Sequence, residues 1–191
     1  MNTSNYSIDR IIKEELKMEG ALPFKTETKT FPKGTVLYKS GDVFENNFFI
    51  VSGIIQFSAY TKDNQEKILE FLYPKEFFGI YSFFTNTPPT YYITCITDCT
   101  LETMPIRKYR EGIETSFLLN ALSRYVLEYW FIRRLQKEKD MLTKTAEDRY
   151  YSLLKYRSDV IKQIPVSKIA KYLGIHPDSL SRIRRSKLLL Q

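Results

Sequence analysis

The chain has 191 residues, 43% hydrophobic and 15% aromatic, enough to fill the core of one large domain or two small ones and too apolar for wholesale disorder. Two cysteines, Cys95 and Cys99, are too few for a disulfide framework or a zinc or iron–sulfur site, and one histidine, His176, cannot supply the multi-histidine metal centres of jelly-roll enzymes. The net charge of +7 is uneven: residues 1–106 hold 10 Lys/Arg against 13 Asp/Glu, whereas residues 107–191 hold 19 against 9, which directs the second half toward a polyanion.

The first segment, MNTSNYSIDRIIKEELKMEG, carries charges throughout and lacks the apolar run of a signal peptide. It predicts an amphipathic helix from Ser7 to about Glu19. From there to Pro105 the chain alternates β-branched and aromatic runs, such as NNFFIVSGIIQFSAY and YYITCITDCTLETMP, with turn signals at Pro32-Lys33-Gly34, Ser40-Gly41-Asp42, Ser52-Gly53 and Lys62-Asp63-Asn64. Short strands with this punctuation predict a jelly-roll or sandwich rather than a parallel sheet wrapped in helices. No Gly-x-Ser-x-Gly, phosphate loop or dinucleotide fingerprint occurs, so no enzyme is expected.

Past Ile106 the pattern becomes helical. Leu118, Leu122, Tyr125, Tyr129 and Ile132 step by threes and fours along one stripe, which Leu119, Val126, Trp130 and Phe131 broaden. A helix from about Ser116 to Leu142 would be about 40 Å long, more than one small domain needs. Two partners are therefore expected for it: its own β domain, and the same helix of a second copy, with Leu118, Leu122, Tyr125, Tyr129 and Ile132 as the dimer seam. Its longest apolar stretch is broken by Asn120, Arg124 and Glu128, so no membrane span is expected and the chain reads as soluble and cytoplasmic. Thr145 and Asp148 then open a further helix as a variant capping box.

The final segment, VSKIAKYLGIHPDSLSRIRRS, leaves three readings open: a buried helical hairpin, a basic amphipathic surface helix, or a helix-turn-helix that enters DNA. Pro165 and Pro177 suit first turns, and Gly174 suits the left-handed residue that ends a helix. Ile169, Ala170, Leu173, Ile175, Leu180 and Ile183 form one small cluster across the break, with Ala170 permitting a close crossing. Asp178, Ser179, Ser181, Arg182 and Arg185 remain on the exposed side. Residues 165–191 carry six cations against Asp178 alone, and a buried hairpin has no use for such a face. Arg182 and the serines suit base edges; Lys168, Lys171, Arg184 and Lys187 suit phosphates.

With these motifs the chain resembles the Crp–Fnr family of bacterial transcription regulators. IPVSKIAKYLGIHPDSLSRIRR is similar to that family's C-terminal helix-turn-helix, and FPKGTVLYKSGDVFENNFFIVSGIIQFSAY to the start of its cyclic-nucleotide-binding β-roll, with glycines at Gly34, Gly41 and Gly53. It looks most like the shorter, wing-poor, anaerobe-type members. The resemblance implies an α+β fold in three parts: a β-roll sensor over residues 1–113, a dimerisation helix over 114–142 and a DNA-binding helix-turn-helix over 143–191. It places the base-reading positions on Pro177, Asp178 and Arg182. Proline cannot hydrogen-bond there, so reading is expected to shift to Asp178, Ser179, Ser181 and Arg182, with His176 in the turn.

In nucleotide-binding members an arginine and a glutamate hold the cyclic phosphate and the ribose. The matching stretch here, FFGIYSFFTNTPPTYYITC, has Ile80 in place of the glutamate and Pro89 or Thr90 in place of the arginine, with no Lys or Arg between Lys75 and Arg107. A phosphate buried there would lack charge-assisted hydrogen bonds worth roughly 1.5–3 kcal/mol each, so cyclic AMP and cyclic GMP are not expected. Two readings of the aromatic cassette stay open: its rings fill the core, or Phe78, Gly79, Ile80, Tyr81, Ser82, Pro89, Thr90 and Tyr91 line a pocket for a small apolar effector. The expected protein is a homodimer that binds double-stranded DNA, with RNA polymerase as a further partner the family brings. The alternative is a β-roll module whose basic tail docks an acidic protein.

Overall fold

In a computed structural model, which describes residues 6–85 and 87–188 (backbone alone at Tyr81, Ser82, 156–160 and 186–188), the β-branched and aromatic runs become eight strands in two antiparallel sheets. One sheet has the order β1 (Glu27–Phe31), β8 (Cys99–Pro105), β3 (Asn46–Ser52), β6 (Phe77–Phe78). The other runs β2 (Val36–Tyr38), β7 (Tyr92–Cys95), β4 (Ile55–Tyr60), β5 (Glu66–Leu72). Strands distant in sequence are neighbours in both sheets, the mark of a jelly-roll. The two inner faces meet in one core of Phe48, Ile50, Ile55, Phe57, Leu72, Phe78, Ile93 and Leu101. Gly53 (φ +92) makes the tight turn between β3 and β4 possible, because a Cβ there would lie 2.4 Å from the Asp98 carbonyl oxygen.

Seven helices complete the described chain. The first, α1 (Ile8–Glu14), is capped by the Ser7 hydroxyl, which accepts from Arg10 N at 3.2 Å. It ends five residues before the expected Glu19, because Leu16 N and Met18 N turn back to the carbonyls of Ile11 and Ile12 and Lys17 takes a φ of +54°. The buried Glu102 carboxylate fixes its start, accepting from Ile8 N at 2.9 Å and Thr26 Oγ1 at 2.6 Å. Helix α2 (Ile80–Thr85) follows β6, and α3 (Ile106–Ile113) follows β8. The long helix α4 (Phe117–Thr143) spans 27 residues, with Ser116 as its cap. Three more follow: α5 (Ala146–Ile161), α6 (Val166–Leu173) and α7 (Pro177–Leu188). Thr145 and Asp148 cap α5 reciprocally, Asp148 N donating to Thr145 Oγ1 at 3.1 Å and Thr145 N to Asp148 Oδ2 at 3.3 Å.

The long helix corrects the expected dimer seam. Leu118 and Leu122 are buried with Leu119 and Val126 against α1, Phe49 and Phe77, and Tyr125 packs on the same core. Tyr129 donates to Glu76 Oε1 at 2.7 Å, and Trp130 Nε1 to the Phe77 carbonyl at 3.0 Å. Of the five expected seam residues, Ile132 alone is exposed, at 66%. The stripe is wide enough for two faces, and the β-roll takes the face on which its carbonyls and acids find donors. The face left outward carries Leu127, Phe131, Ile132, Leu135 and Leu142.

The last three helices pack back on the roll. Tyr150 of α5, Ile169, Ala170 and Leu173 of α6 and Leu180 of α7 share one core with Ile54, Ile68, Phe71, Tyr73 and Ile96. Tyr172 brings its ring to 5.2 Å from that of Phe71. No helix among the described residues is long and apolar enough to cross a membrane.

Candidate nucleic-acid interface

Helix α6 ends where Gly174 adopts a left-handed conformation (φ +71, ψ +29), with its N–H returned to Ala170 and Lys171 carbonyls. Ile175 N closes onto the Ala170 carbonyl at 3.0 Å, and α7 begins two residues later. Ala170 and Leu180 are fully buried in one core, and the small side chain of Ala170 leaves room for the two helices to approach closely. His176 occupies the turn and accepts from Asp178 N through Nδ1 at 3.4 Å, standing in for an N-cap.

This geometry turns one side of α7 outward. Pro177, Asp178, Ser179, Arg182, Arg184 and Arg185 are all exposed, as is His176. Ser181 is half-buried and donates to the Pro177 carbonyl at 3.0 Å, so its hydroxyl is partly committed to its own helix. Arg185 Nε lies 3.4 Å from the Ser181 carbonyl oxygen. The side chain of Lys187 lies outside the described residues. Arg182 therefore stands on the open side of a helix held at both its turn and its core, which suits insertion along base edges.

The two lysines of α6 are held differently from the expectation. Lys168 Nζ and Lys171 Nζ each lie 2.7 Å from a carboxylate oxygen of Glu66 at the start of β5. Gln56 Nε2 donates to the same carboxylate at 2.9 Å. Burial alone would raise the Glu66 pKa, but the two lysine hydrogen bonds outweigh it and hold the carboxyl below its ordinary value. Sequence periodicity marked these lysines as outward cations, and the partner 105 positions earlier than Lys171 was invisible to it.

A second charged cluster ties α4 to the roll. Glu70 and Glu76 are almost fully buried, and Arg133 bridges them: Nη2 to Glu70 Oε1 at 2.9 Å and Nη1 to Glu76 Oε2 at 2.7 Å. Arg133 Nη2 also donates to the Phe71 carbonyl at 2.7 Å. Desolvation opposes the guanidinium's charge, yet Glu76 and Glu70 more than offset it and its pKa is raised. Lys137 donates to the Leu69 carbonyl and stands over the Tyr172 ring at 4.3 Å. Burial holds its pKa below the ordinary lysine value. The signal for this cluster lay in EKILEFLYPKEFF, where two acids sit inside an apolar run and must find cations.

The aromatic cassette is packed. Phe78 is buried and stacks on Phe48 at 4.7 Å, while Tyr91 stacks on Phe57 at 5.0 Å. Ile80 belongs to the core beneath α1 and α4, Gly79 lies against Asn46 and Asn47, Pro89 is buried and Thr90 exposed. The side chains of Tyr81 and Ser82 lie outside the described residues. The expected pocket side chains among the described residues thus divide between two cores and the surface. Cys95 and Cys99 are both buried.

A jelly-roll, a long helix clasped to it and a C-terminal helix-turn-helix with an outward basic face make up the described chain. Residues 28–116 match the family model of the cyclic nucleotide-binding domain. The transcriptional activator protein FnrA of Stutzerimonas stutzeri is 26% identical over 168 residues, which cover 79% of this chain; the chain spans 66% of that relative's length. The fold is similar to FixK2 from Bradyrhizobium japonicum (TM-score 0.74, 15% identity, 85% of this chain and 84% of that one). It is also similar to the c-di-GMP-responsive global regulator CLP of Xanthomonas campestris (TM-score 0.66, 17% identity, 86% and 87%). Over most of its length the chain is thus similar in fold to known transcription regulators, and residues 28–116 carry the match to the cyclic nucleotide-binding domain.

Proposed function

We propose that the protein is a homodimeric, DNA-binding transcription regulator. The observation that carries this reading is the exposed side of α7, where Arg182, Arg184 and Arg185 project from a helix fixed at the Gly174 turn. Two copies would place two such helices in successive major grooves, with half-sites about one helical turn apart. Arg182 would read a base edge, and Arg184 and Arg185 would meet phosphates. RNA polymerase would be the partner through which binding alters transcription, and the cytoplasm the compartment.

The seam of this dimer is the outward face of α4. Leu127, Phe131, Leu135 and Leu142 follow one another at steps of four, four and seven, and are 41%, 65%, 50% and 80% exposed. Cyclic AMP is not expected as the ligand of this β-roll, a reading supported by the lack of Lys or Arg between Lys75 and Arg107 and by the Phe48–Phe78 and Phe57–Tyr91 stacks. Titration calorimetry with cyclic AMP is expected to show no micromolar binding.

Gel shift against genomic duplex fragments at two salt concentrations tests the function. Neutralising around six phosphates gives a log–log slope near −5. A flat salt dependence would favour docking of the basic helices to an acidic protein. Arg182→Ala is expected to erase the preference among sequences while leaving residual non-specific binding.

A further inference from the structure

A cavity of about 760 Å³ opens between β5, α4, α5 and α6, at the joint between the β-roll and the helix-turn-helix. Its size falls within the roughly 300–1,000 Å³ of small-molecule sites. Tyr73, Ile132, Met141, Leu153 and Leu173 give it apolar walls, and Arg133, Lys137, Lys144 and Arg149 line it as well. Three of those cations have carboxylate partners: Arg133 with Glu70 and Glu76, Lys137 with Glu70, and Lys144 with Asp140 at 3.0 Å.

Arg149 differs. Its Nη1 donates to the Lys144 carbonyl at 2.8 Å and its Nη2 to the Leu173 carbonyl at 2.9 Å. Its Nε is buried with no hydrogen-bond partner. Among the described residues no carboxylate pairs with it. Carbonyls orient a guanidinium without cancelling its charge, so one positive charge is left unbalanced in a partly desolvated wall.

We infer that this cavity is a binding site for a small amphiphilic monoanion, an aromatic or branched apolar body carrying a single carboxylate or sulfonate. The apolar walls take the body, and the Arg149 side takes the charge. Because the lining comes from the roll, the long helix and the helix-turn-helix together, an occupant touches both parts of the molecule at their joint. The site does not depend on the DNA-binding reading.

Anilinonaphthalene sulfonate, an aromatic monoanion whose fluorescence rises in apolar surroundings, is the probe, with uncharged N-phenylnaphthylamine as its comparison. The full-length protein should take up one sulfonate dye per chain, saturably, and prefer it to the neutral dye by about tenfold or more. Ser152→Trp, which fills the cavity, and Gln136→Trp, at its exposed rim, should each weaken the site at least tenfold. Arg149→Met should bring the two dyes to near-equal affinity. The double change Phe131→Ser and Leu135→Ser, on the outer face of α4, should leave the site intact. Uptake of many dyes per chain, equal affinity for both dyes, survival of the site in Gln136→Trp, or its loss with the outer-face change would each overturn the proposal. If circular dichroism shows that Ser152→Trp or Arg149→Met does not fold, the dye pair on the unmodified protein and the exposed Gln136→Trp decide it. None of these readouts involves DNA.

Discussion

Arg133 is the residue on which the joint between helix and roll most depends. Glu70 and Glu76 are 3% and 4% exposed, and removing Arg133 would take from both buried carboxylates the cation they share, leaving Glu70 with Lys137 at 3.5 Å and Glu76 with the Tyr129 hydroxyl. Arg133→Met is therefore expected to cost about 3–5 kcal/mol and to lower Tm by about 10 °C or more, read by differential scanning calorimetry. Glu66 makes a different prediction, because its cations are the ones suited to phosphates. Glu66→Gln should free Lys168 and Lys171, tightening DNA binding and steepening the log–log salt slope by about two. The same change should cost stability only where the carboxylate is charged. A carboxyl whose folded pKa lies below its ordinary value contributes above the ordinary range, and that contribution is lost as pH falls through the lowered value. The Tm difference between Glu66→Gln and the unmodified protein should thus be present at neutral pH and vanish in acid. A salt slope unchanged by Glu66→Gln would mean these lysines never reach phosphate.

At the scale of elements, helix existence and capping were legible because they are local. Ser116 and Thr145 cap the helices they were expected to open, and Gly174 ends α6 in the left-handed conformation its position called for. Gly174→Val should cost about 1–2 kcal/mol, since a β-branched residue resists φ +71°, and should shift the unfolding midpoint by several degrees. Orientation was not legible. The stripe Leu118, Leu122, Tyr125, Tyr129 is as apolar in sequence as Leu127, Phe131, Leu135, and only contact with Phe49, Phe77 and Glu76 distinguishes them. The two faces predict opposite phenotypes. Phe131→Glu with Leu135→Glu should yield a folded monomer by light scattering, whereas Leu122→Glu should abolish folding, because Leu122 is 1% exposed.

At the scale of the whole molecule, the helix-turn-helix is docked rather than tethered. The Phe71–Tyr172 contact, the Lys137 cation over Tyr172 and the two Glu66 ion pairs all join it to β5 or α4. In this docked arrangement Arg182, Arg184 and Arg185 remain exposed, so the proposed DNA contact calls for no wholesale rearrangement.

By itself the sequence determined what short-range physics controls: strands punctuated by glycine and proline turns, helix ends, the helix-turn-helix cluster around Ala170, and the basic second half. Only the tertiary structure decided which side of α4 the roll would claim, that Glu66 would take up two of the basic residues, and that Arg149 would face a cavity with its charge uncancelled. Those outcomes rest on side chains dozens of positions apart meeting in a low-dielectric interior. There, pairing or failing to pair a charge outweighs any local preference.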